Sequence, residues 1–374
     1  MDDRQTDILY TIALTQIPSI GDIIAHKLID NFGSAEQIFK EPSRHLSRIK
    51  HIPKTISESI ASSKNKALDI ACREMEYIEK NNISVFLKGK ENYPLRLEQC
   101  IDVPIILFGK GNLDLNPKHS IAIVGTRRAT EYGNQITKKI IKELAAYGEV
   151  QIISGLAVGI DTAAHQAAIQ NSLSTIGILG HGFKTLYPAS NRKLAEKMSE
   201  NGGLLTEFIS SVIGEAYNFP KRNRIIAGLS EAILVVEAHA KGGALITANI
   251  GHSYHRDVFS IPGRIGDKAS EGCLDLIKSN KAAIITSGKD IIFSMMWENN
   301  PSKNADKGVQ TKLLLDLPDE EQLIVDALQN KTKLNIDDLS IATNMDKTIL
   351  AMNLLSLEFK GIINCLPGKL YALS

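Results

Sequence analysis

Between residues 81 and 297, short apolar runs alternate with longer stretches of helical periodicity. The short runs are rich in isoleucine, valine and leucine, as expected for strands that are covered on both faces of a parallel sheet. The predicted strands are Ile83–Leu87, Ile105–Phe108, Ile121–Val124, Gln151–Ser154, Thr175–Leu179, Ala232–Val236, Val258–Ile261 and Ala283–Thr286. The predicted helices include Asn134–Tyr147, Ile160–Gln170, Arg192–Glu200 and Leu245–His255. This alternation predicts a doubly wound α/β domain with right-handed crossovers, and ligands should bind at the carboxyl ends of its strands.

The block before residue 81 has a helical pattern with short breaks. A turn at Ile17–Gly21 separates the predicted helices Ile8–Leu14 and Ile23–Asn31. This arrangement resembles a helix-hairpin-helix, whose tight turn can present backbone N–H groups to a phosphate. Ser19 stands where a glycine is common in such turns, and we favour a small helical packing module.

The end of the chain has a different pattern. Residues 298–311 are polar and without periodicity, which indicates a linker. Three helices and a hairpin follow, which is the winged-helix arrangement. They are predicted near Glu320–Gln329, Ile336–Thr343 and Lys347–Phe359, with strands at Ile362-Ile363 and Leu370–Leu373 around a turn at Pro367-Gly368. The chain is therefore divided into residues 1–80, 81–297, 298–311 and 312–374.

Charge separates the same blocks. The 374 residues are 43% hydrophobic and 23% charged, which is ordinary for a globular protein of two or three domains. Residues 1–80 carry 11 Lys+Arg against 12 Asp+Glu, residues 81–311 carry 26 against 21, and residues 312–374 carry 6 against 9. The positive charge thus lies in the middle block, which should hold any polyanion that this protein binds.

Several classes of protein are disfavoured. The four cysteines, Cys72, Cys100, Cys273 and Cys365, contain no CxxC pair, so neither a zinc knuckle nor a disulfide framework is expected. We expect a reduced, cytoplasmic protein. The first residues lack the pattern of a secretory signal, and no apolar run approaches the ~20 residues of a membrane span.

The segment Asn218–Ser230 concentrates positive charge. Lys221, Arg222 and Arg224 place three cations in four positions, and no carboxylate occurs in the thirteen residues. An apolar run follows directly and could anchor these cations on a packed element. Rigid guanidinium groups beside an amide such as Asn223 suit a phosphate site. A solvent-exposed helix start is the other interpretation, and the segment alone does not decide between them.

Two glycine turns follow predicted strands and could hold an anion. They are Val124–Arg128 and Ser154–Asp161, and the second opens a helix. Glycine lets the backbone approach an anion closely, and the start of a helix supplies free N–H groups. Thr126, Arg127 and Ser154 add side-chain donors. Neither turn is a Walker A loop or a good GxGxxG fingerprint.

Other polar residues allow catalytic hypotheses. Asp161 and His165 lie four apart on one predicted helix and could pair, but a carboxylate at a helix N-terminus and a structural histidine are favoured. Glu207 and Glu237 end predicted strands without suggesting a mechanism. No nucleophile elbow appears. We expect no metal site, because no metal-ligand spacing is found at His181, His239, His252 and His255.

Several motifs occur together in a fixed order. They are NYPLRLEQCIDVPIILFGKG (Asn92–Gly111), IAIVGTRRATEYG (Ile121–Gly133), SGLAVGIDTAAH (Ser154–His165), Tyr187-Pro188, FPKRNRIIAGLS (Phe219–Ser230), Glu237, GGALITA (Gly242–Ala248), Ile261–Gly263 and Gly272. In this order the sequence resembles the family of DNA processing protein DprA, also called Smf. The resemblance covers residues 80–290 closely and both flanking blocks more loosely.

The resemblance implies a fold and a function. The fold is an extended Rossmann-like core, preceded by a helical domain of the sterile-alpha-motif type and followed by a winged helix. The function is binding of single-stranded DNA in natural transformation, where the protein protects incoming DNA and loads the RecA recombinase. The resemblance also implies a homodimer formed through the Rossmann-like domain, and neither enzymatic activity nor a cofactor.

The resemblance also implies a site. Its DNA phosphate-binding residues fall on Gly125, Thr126, Arg127, Ser154, Gly155, Gly159, Lys221, Arg222, Asn223 and Arg224. Possible additional contacts are Lys184, Asn191 and Lys193. Val158 and Asn249 stand where the family usually has arginines, which should weaken DNA binding.

Two alternatives stay open. A more distant resemblance to phosphoribohydrolases suggests a nucleotide-processing enzyme. However, Pro262–Gly266 lacks the PGGxGT phrase and the following glutamate of those enzymes. A winged helix could bind duplex DNA, but the net charge of −3 in residues 312–374 favours a role in protein interaction or regulation.

Overall fold

The computed structural model describes residues 3–42, 53–297, 318–330, 334–360, 362–366 and 370–373. The chain divides into two compact units, Met1–Ser302 and Lys303–Ser374. The predicted linker 298–311 and the predicted turn Pro367-Gly368 lie outside the described residues. The predicted segments 1–80 and 81–297 fall within the first unit, so the finer division of the chain stays a prediction.

A nine-stranded sheet is the centre of the first unit, with strand order β1-β2-β6-β5-β4-β3-β7-β8-β9. The strands are β1 (Ser84–Leu87), β2 (Ile106–Asn112), β3 (His119–Val124), β4 (Val150–Ser154), β5 (Thr175–Ile178), β6 (Gly202–Thr206), β7 (Ala232–Val235), β8 (Asp257–Ser260) and β9 (Ala283–Ile284). Strands β3 to β9 are mutually parallel, β2 is antiparallel to β6, and β1 is antiparallel to β2. The chain winds outward from β3 in both directions, which confirms the predicted doubly wound fold.

The helices of the first unit precede, connect and follow these strands. They are α1 (Asp3–Thr15), α2 (Asp22–Phe32), α3 (Ala35–Lys40), α4 (Lys54–Lys80), α5 (Leu95–Glu98), α6 (Glu131–Tyr147), α7 (Ile160–Gln170), α8 (Arg192–Met198), α9 (Asn218–Leu229), α10 (Gly243–Ser253), α11 (Glu271–Lys278) and α12 (Gly288–Ser294). Among the described residues, no helix is long and apolar enough to cross a membrane.

Alternate residues of the central strands enter two different cores. Ala122 and Val124 of β3 pack with α9 and α10, whereas Ile121 and Ile123 pack with α6, α7 and α12. This alternation follows from the two-residue period of a strand. Both faces of the sheet are therefore covered, as the apolar runs in the sequence indicate.

Strand β6 is absent from the predicted strands because its sequence begins with two glycines. Gly202 and Gly203 have φ values of 129° and 154°, and a Cβ on Gly202 would collide with the carbonyl of Thr175 on β5. Glycine is depleted in strands generally, but here it permits close packing between β6 and its neighbours. This added strand connects the parallel sheet to β2.

His165 of α7 is fully buried against β5. Its Nδ1 lies 2.7 Å from the hydroxyl of Thr175, which in turn donates a hydrogen bond to the carbonyl of Ile152. Burial lowers the pKa of His165 to about 3, with a further contribution from the charge of Arg222. The imidazole is therefore neutral, and its Nδ1–H donates to Thr175. Asp161 instead accepts from backbone N–H groups, so the favoured structural interpretation of this pair is confirmed.

A buried ionic cluster joins the N-terminal helices to the α/β core. The guanidinium of Arg224 on α9 contacts the carboxylates of Asp22, at 3.0 Å, and Glu207, and it donates to the carbonyl of Asp102. The side chains of Arg224 and Glu207 are 6% and 4% exposed. Burial raises the pKa of Glu207, and the charge of Arg224 opposes this effect. The cluster lies where α2 begins, directly after the Ile17–Gly21 turn, in which Ser19 has a positive φ of 67°.

The second unit contains the predicted winged helix. Its elements are α13 (Asp319–Asn330), β10 (Leu334–Asn335), α14 (Ile336–Thr343), α15 (Lys347–Phe359), β11 (Ile363–Leu366) and β12 (Leu370–Leu373). The strands pair in the order β10-β12-β11. Leucines from all three helices, including Leu328, Leu339, Leu350 and Leu354, form its core.

We predict that His165 makes the protein less stable in acid. Its folded pKa lies below its ordinary value, so below pH ~6.5 only the unfolded chain takes up a proton, and stability falls by about 1.4 kcal/mol per pH unit. The free energy of unfolding, measured with urea at pH 7.5 and 5.5, should lose this part of its pH dependence in His165→Gln. His239→Gln, at an exposed histidine, is the control that should keep the slope. An unchanged slope in His165→Gln would contradict the assignment.

We also predict that Arg224 is a stability residue. Arg224→Ala leaves the carboxylate of Glu207 buried beside one half-exposed lysine, and it should lower the free energy of unfolding by about 3–5 kcal/mol. Lys221→Ala, whose side chain is 47% exposed, should cost less than about 1 kcal/mol. Chemical unfolding of both variants checks this, and equal losses would refute the proposed difference.

Candidate functional site

A cleft of about 590 Å³ opens at the carboxyl ends of β3 and β7, where the winding of the sheet reverses. This is the expected place for a ligand in a doubly wound fold. Its lining comes from the turn after β3, the start of α9 and the start of α10. The residues that supply polar groups are Thr126, Arg127, Asp161, Tyr187, Arg222, Asn223, His239 and Thr247.

The basic segment forms helix α9, and helical spacing divides its cations between two sides. Phe219, Arg222, Asn223 and Ile226 line the cleft. Residues three and four apart lie on the same side of a helix, whereas adjacent residues are separated by about 100°. Arg224 therefore lies outside the cleft lining and in the ionic cluster described above. Lys221 also points to that cluster, with its Nζ 3.0 Å from Glu207.

Arg222 forms part of the cleft floor and is 4% exposed. Its Nη1 donates to the carbonyl of Gly155, which directly follows β4, at 2.6 Å. It also donates to the carbonyl of Ile178, the last residue of β5. Burial lowers the pKa of this guanidinium to about 10, and the carboxylate of Asp161 opposes that shift. The side chain therefore remains a cation at neutral pH. Its Nε has no hydrogen-bond partner among the described residues.

Gly155 is needed to accommodate that guanidinium. A Cβ at this position would collide with the Nη1, Cζ and Nη2 atoms of Arg222. The backbone N–H of Gly155 donates to Asp161 at 3.1 Å. Gly155 thus positions Arg222 and Asp161, and it is not among the residues that line the cleft.

The two glycine turns pack directly against each other. Gly159 has a positive φ of 87°, and a Cβ there would collide with the carbonyl of Thr126. The N–H of Ile160 donates to the same carbonyl at 3.2 Å. The hydroxyl of Ser154 is buried and donates to the carbonyl of Ile123 at 2.6 Å. Ser154 and Gly159 therefore shape the turns, whereas Gly125 and Thr126 line the cleft.

Arg127 is an exposed cation in the cleft. Its Cζ lies 5.3 Å from the centre of the Phe219 ring, which is within cation–π distance. The half-exposed ring of Tyr187 lies 5.9 Å from the same phenyl ring. No carboxylate within ion-pair distance of Arg127 is found in the part of the chain that the structure describes. An anion in the cleft could therefore contact this guanidinium.

The three possible additional residues lie outside the cleft lining. The ammonium of Lys184 lies 5.6 Å from the centre of the Tyr77 ring. Asn191 is buried, and its Nδ2 donates to the carbonyl of Leu156 at 2.9 Å and to Thr162 at 2.8 Å. Lys193 is exposed on α8.

The start of α10 adds cleft residues that the sequence-based prediction lacks. Gly242, Gly243 and Thr247 line the cleft, as does the exposed His239 before them. The N-terminus of a helix attracts anions through its free N–H groups and its dipole. The glycine pair before a predicted helix, together with the preceding strand β7, is the signal from which this site could have been found.

The chemistry of the cleft is suited to an anion. Two arginines, an amide and a helix N-terminus converge there, and Asp161 is the one acidic residue among the described residues that line it. Asp161 already accepts hydrogen bonds from Gly155 and Ala157. Among the described residues, no group of three or more His, Cys, Asp or Glu could hold a metal ion. The segment Pro262–Gly266, which is the nearest counterpart of the phosphoribohydrolase phrase in this sequence, does not line the cleft.

Comparison with known proteins identifies the family. The model for DNA recombination-mediator protein A matches residues 84–296. The DNA processing protein DprA of Streptococcus pneumoniae is 42% identical over 200 residues, which cover 54% of this chain and 70% of that protein. Protein Smf of Escherichia coli is 35% identical over 298 residues, which cover 78% of each chain.

Solved structures agree with this assignment. The X-ray structure of DprA from Streptococcus pneumoniae has a TM-score of 0.65 and 32% identity, covering 76% of this chain and 97% of that one. DNA processing protein A of Helicobacter pylori, studied for its single-stranded DNA binding mode, has a TM-score of 0.52 and 28% identity, covering 57% and 95%. The resemblance inferred from the ordered motifs is confirmed, and the chain belongs to the DNA recombination-mediator protein A family, which includes the proteins named DprA and Smf.

Proposed function

We propose that the cleft binds the sugar-phosphate backbone of single-stranded DNA. The observation that carries this proposal is the pair of cations in one cleft: Arg127 is exposed and free of carboxylates among the described residues, and Arg222 is fixed at the floor. Backbone contacts from fixed cations give affinity that does not depend on sequence. The Helicobacter pylori relative, which was studied for its single-stranded DNA binding mode, supports the choice of ligand.

The aromatic residues support a single strand over a duplex. Tyr187 and Phe219 lie together in the cleft beside Arg127. Unpaired bases expose faces that stack on aromatic rings, and proteins that bind single strands combine such rings with a positive groove. The bases of a duplex are already stacked on one another and could not use these rings in the same way.

The proposed binding residues form a smaller set than the sequence-based prediction. Gly125, Thr126, Arg127, Arg222 and Asn223 would contact the strand, because they line the cleft. Three others have structural roles in this proposal, since Ser154, Gly155 and Gly159 shape the turns. Lys221 and Arg224 lie outside the cleft, in the ionic cluster that joins α9 to α2.

In the cell, we propose that this protein protects incoming single-stranded DNA during natural transformation and loads the RecA recombinase onto it. Membership of a recombination-mediator family supports this role. A cytoplasmic homodimer formed through the Rossmann-like domain would place two clefts on one strand, and the second contact would raise the affinity without new chemistry. We propose binding without catalysis, because Asp161 is engaged by the backbone and His165 is buried and neutral.

For the winged helix we propose a protein-interaction or regulatory role. In the part of this unit that the structure describes, Lys347 contacts Asp337 at 2.5 Å and Lys360 contacts Glu321 at 2.5 Å. Both ammonium groups are thus already paired, while residues 312–374 carry a net charge of −3. Such a surface repels phosphate and does not favour duplex DNA.

Arg127→Ala should weaken binding of single-stranded DNA about tenfold, because it removes a charge-assisted contact of about 1–2 kcal/mol. The decrease should be similar for different sequences. Fluorescence anisotropy with labelled oligothymidine of about 20 nucleotides, at several salt concentrations, would measure it.

The adjacent Arg128 is the matched control for this measurement. It is also exposed, but it does not line the cleft, so Arg128→Ala should have a smaller effect than Arg127→Ala. Unchanged affinity in Arg127→Ala, or an equal loss in both variants, would count against the proposed cleft.

Removal of residues 303–374 should leave binding of duplex DNA unchanged within about twofold, because the unit lacks unpaired cations in its described part. Comparison of the full chain with the shortened one in a gel shift against duplex and single-stranded DNA provides the measurement. A selective loss of duplex binding would show that the winged helix binds duplex DNA.

A further inference from the structure

Among the exposed lysines beside helices α9 and α10, Lys221 and Lys281 have different surroundings. Lys221 lies within α9, between the cleft residues Pro220 and Arg222. Lys281 lies after α11, beside the exposed face of α10. Each could attract a phosphate if its charge were available, so the carboxylates around each lysine decide between the two directions.

The surroundings of Lys221 are acidic. Its ammonium lies 3.0 Å from Glu207 and 4.0 Å from Asp22, and 5.4 Å from the centre of the Phe208 ring. The carboxylate of Asp102, which accepts a hydrogen bond from Tyr254, also lines this depression beside α2. Three carboxylates surround two cations there, since Arg224 is the other one. The positive charges of Lys221 and Arg224 are already neutralised by carboxylates, so they would not attract a phosphate in this direction.

The other direction follows a stripe along α10 that begins at the cleft. Gly242, Ile246 and Asn249 are four and three residues apart, so they lie along one side of the helix. Gly242 and Ile246 line the cleft, and Asn249 is exposed one turn further on, about 4.5 Å along the axis. The stripe therefore leads from the cleft directly to Asn249.

Lys281 places its charge at the end of that stripe. Its Nζ donates to the Oδ1 of Asn249 at 3.1 Å, and its backbone N–H donates to the carbonyl of Leu276 at 2.9 Å. Among the described residues, no carboxylate lies within ion-pair distance of Lys281. Asn249 is neutral, so it orients the ammonium without cancelling its charge. This lysine can therefore attract an anion, whereas Lys221 is already paired.

We infer that the single strand leaves the cleft along α10, and that Lys281 binds a backbone phosphate beyond the cleft. This inference rests on the proposed function of the cleft. It assigns a phosphate contact to a lysine outside every motif in the sequence, and it directs the strand past Ile246 and Asn249 of α10 instead of past Lys221. On this path the strand does not use the depression around Lys221, which Gly21 of the helix-hairpin-helix-like turn borders.

The test compares Lys281→Ala with Lys221→Ala in the full chain, using oligothymidines of about 4 and about 20 nucleotides. Lys281→Ala should weaken binding of the long oligonucleotide about fivefold and lower its salt dependence by the equivalent of one phosphate, a slope of about 0.7. Binding of the short oligonucleotide, which occupies only the cleft, should stay within twofold. Lys221→Ala should change neither by more than about twofold.

A charge-transfer variant tests the position itself. Asn249→Arg combined with Lys281→Ala should restore the affinity for the long oligonucleotide, because the cation returns to the same place from α10. Thermal unfolding of each variant controls for loss of structure. Failure of this rescue in folded protein would show that charge at this position is not what the strand contacts.

The remaining outcomes separate this inference from the function on which it depends. If Lys221→Ala weakens binding and Lys281→Ala does not, the strand takes the other direction and the inference is wrong. If Arg127→Ala weakens binding but neither lysine variant does, the cleft is correct and the path along α10 is wrong. If none of the three variants weakens binding, the proposed function itself fails.

Discussion

The buried guanidinium of Arg222 fixes the geometry on which the cleft depends. It donates to carbonyls at the ends of two adjacent strands, and it requires glycine at position 155 because a Cβ would occupy the same space. A buried cation is costly unless it is paired and hydrogen-bonded, so helix α9 is restricted to the place where Arg222 meets those carbonyls and Asp161. That restriction in turn places Phe219 under Arg127 and Asn223 in the cleft lining.

Much of the fold could be predicted from the sequence because the buried strands are uninterrupted apolar runs. Runs such as Ile121–Val124 and Ala232–Val236 differ from the confirmed strands by two residues at most. Strand β6 could not be found in this way, because its pairing depends on the absence of side chains at Gly202 and Gly203. Contacts of that kind exist between strands distant in sequence, and no local pattern reports them.

The candidate site was only partly predictable, for a geometrical reason. Lys221, Arg222 and Arg224 form one cluster in the sequence, but a helix turns adjacent residues away from each other. One partner of Arg224 is Asp22, which is 202 residues away, and local sequence cannot indicate such a contact. Lys281 belongs to no sequence motif, and only the fold brings it beside α10. The motifs therefore predicted a site at the strand ends, where the cleft lies, while the surroundings of each cation depended on the tertiary structure.

The ionic cluster around Arg224 also bears on how this molecule can move. A domain boundary near residue 80 is predicted from a change in sequence pattern. However, Asp22 forms an ion pair across this boundary with Arg224, which also pairs with Glu207. Opening a hinge at this boundary would break the contacts of the buried Arg224 guanidinium with its carboxylate partners, at a cost of several kcal/mol. The ion pairs of Arg224 therefore oppose rotation of the N-terminal helices against the α/β core. Arg127 and Tyr187, by contrast, are exposed at the cleft and can change conformation without opening that boundary.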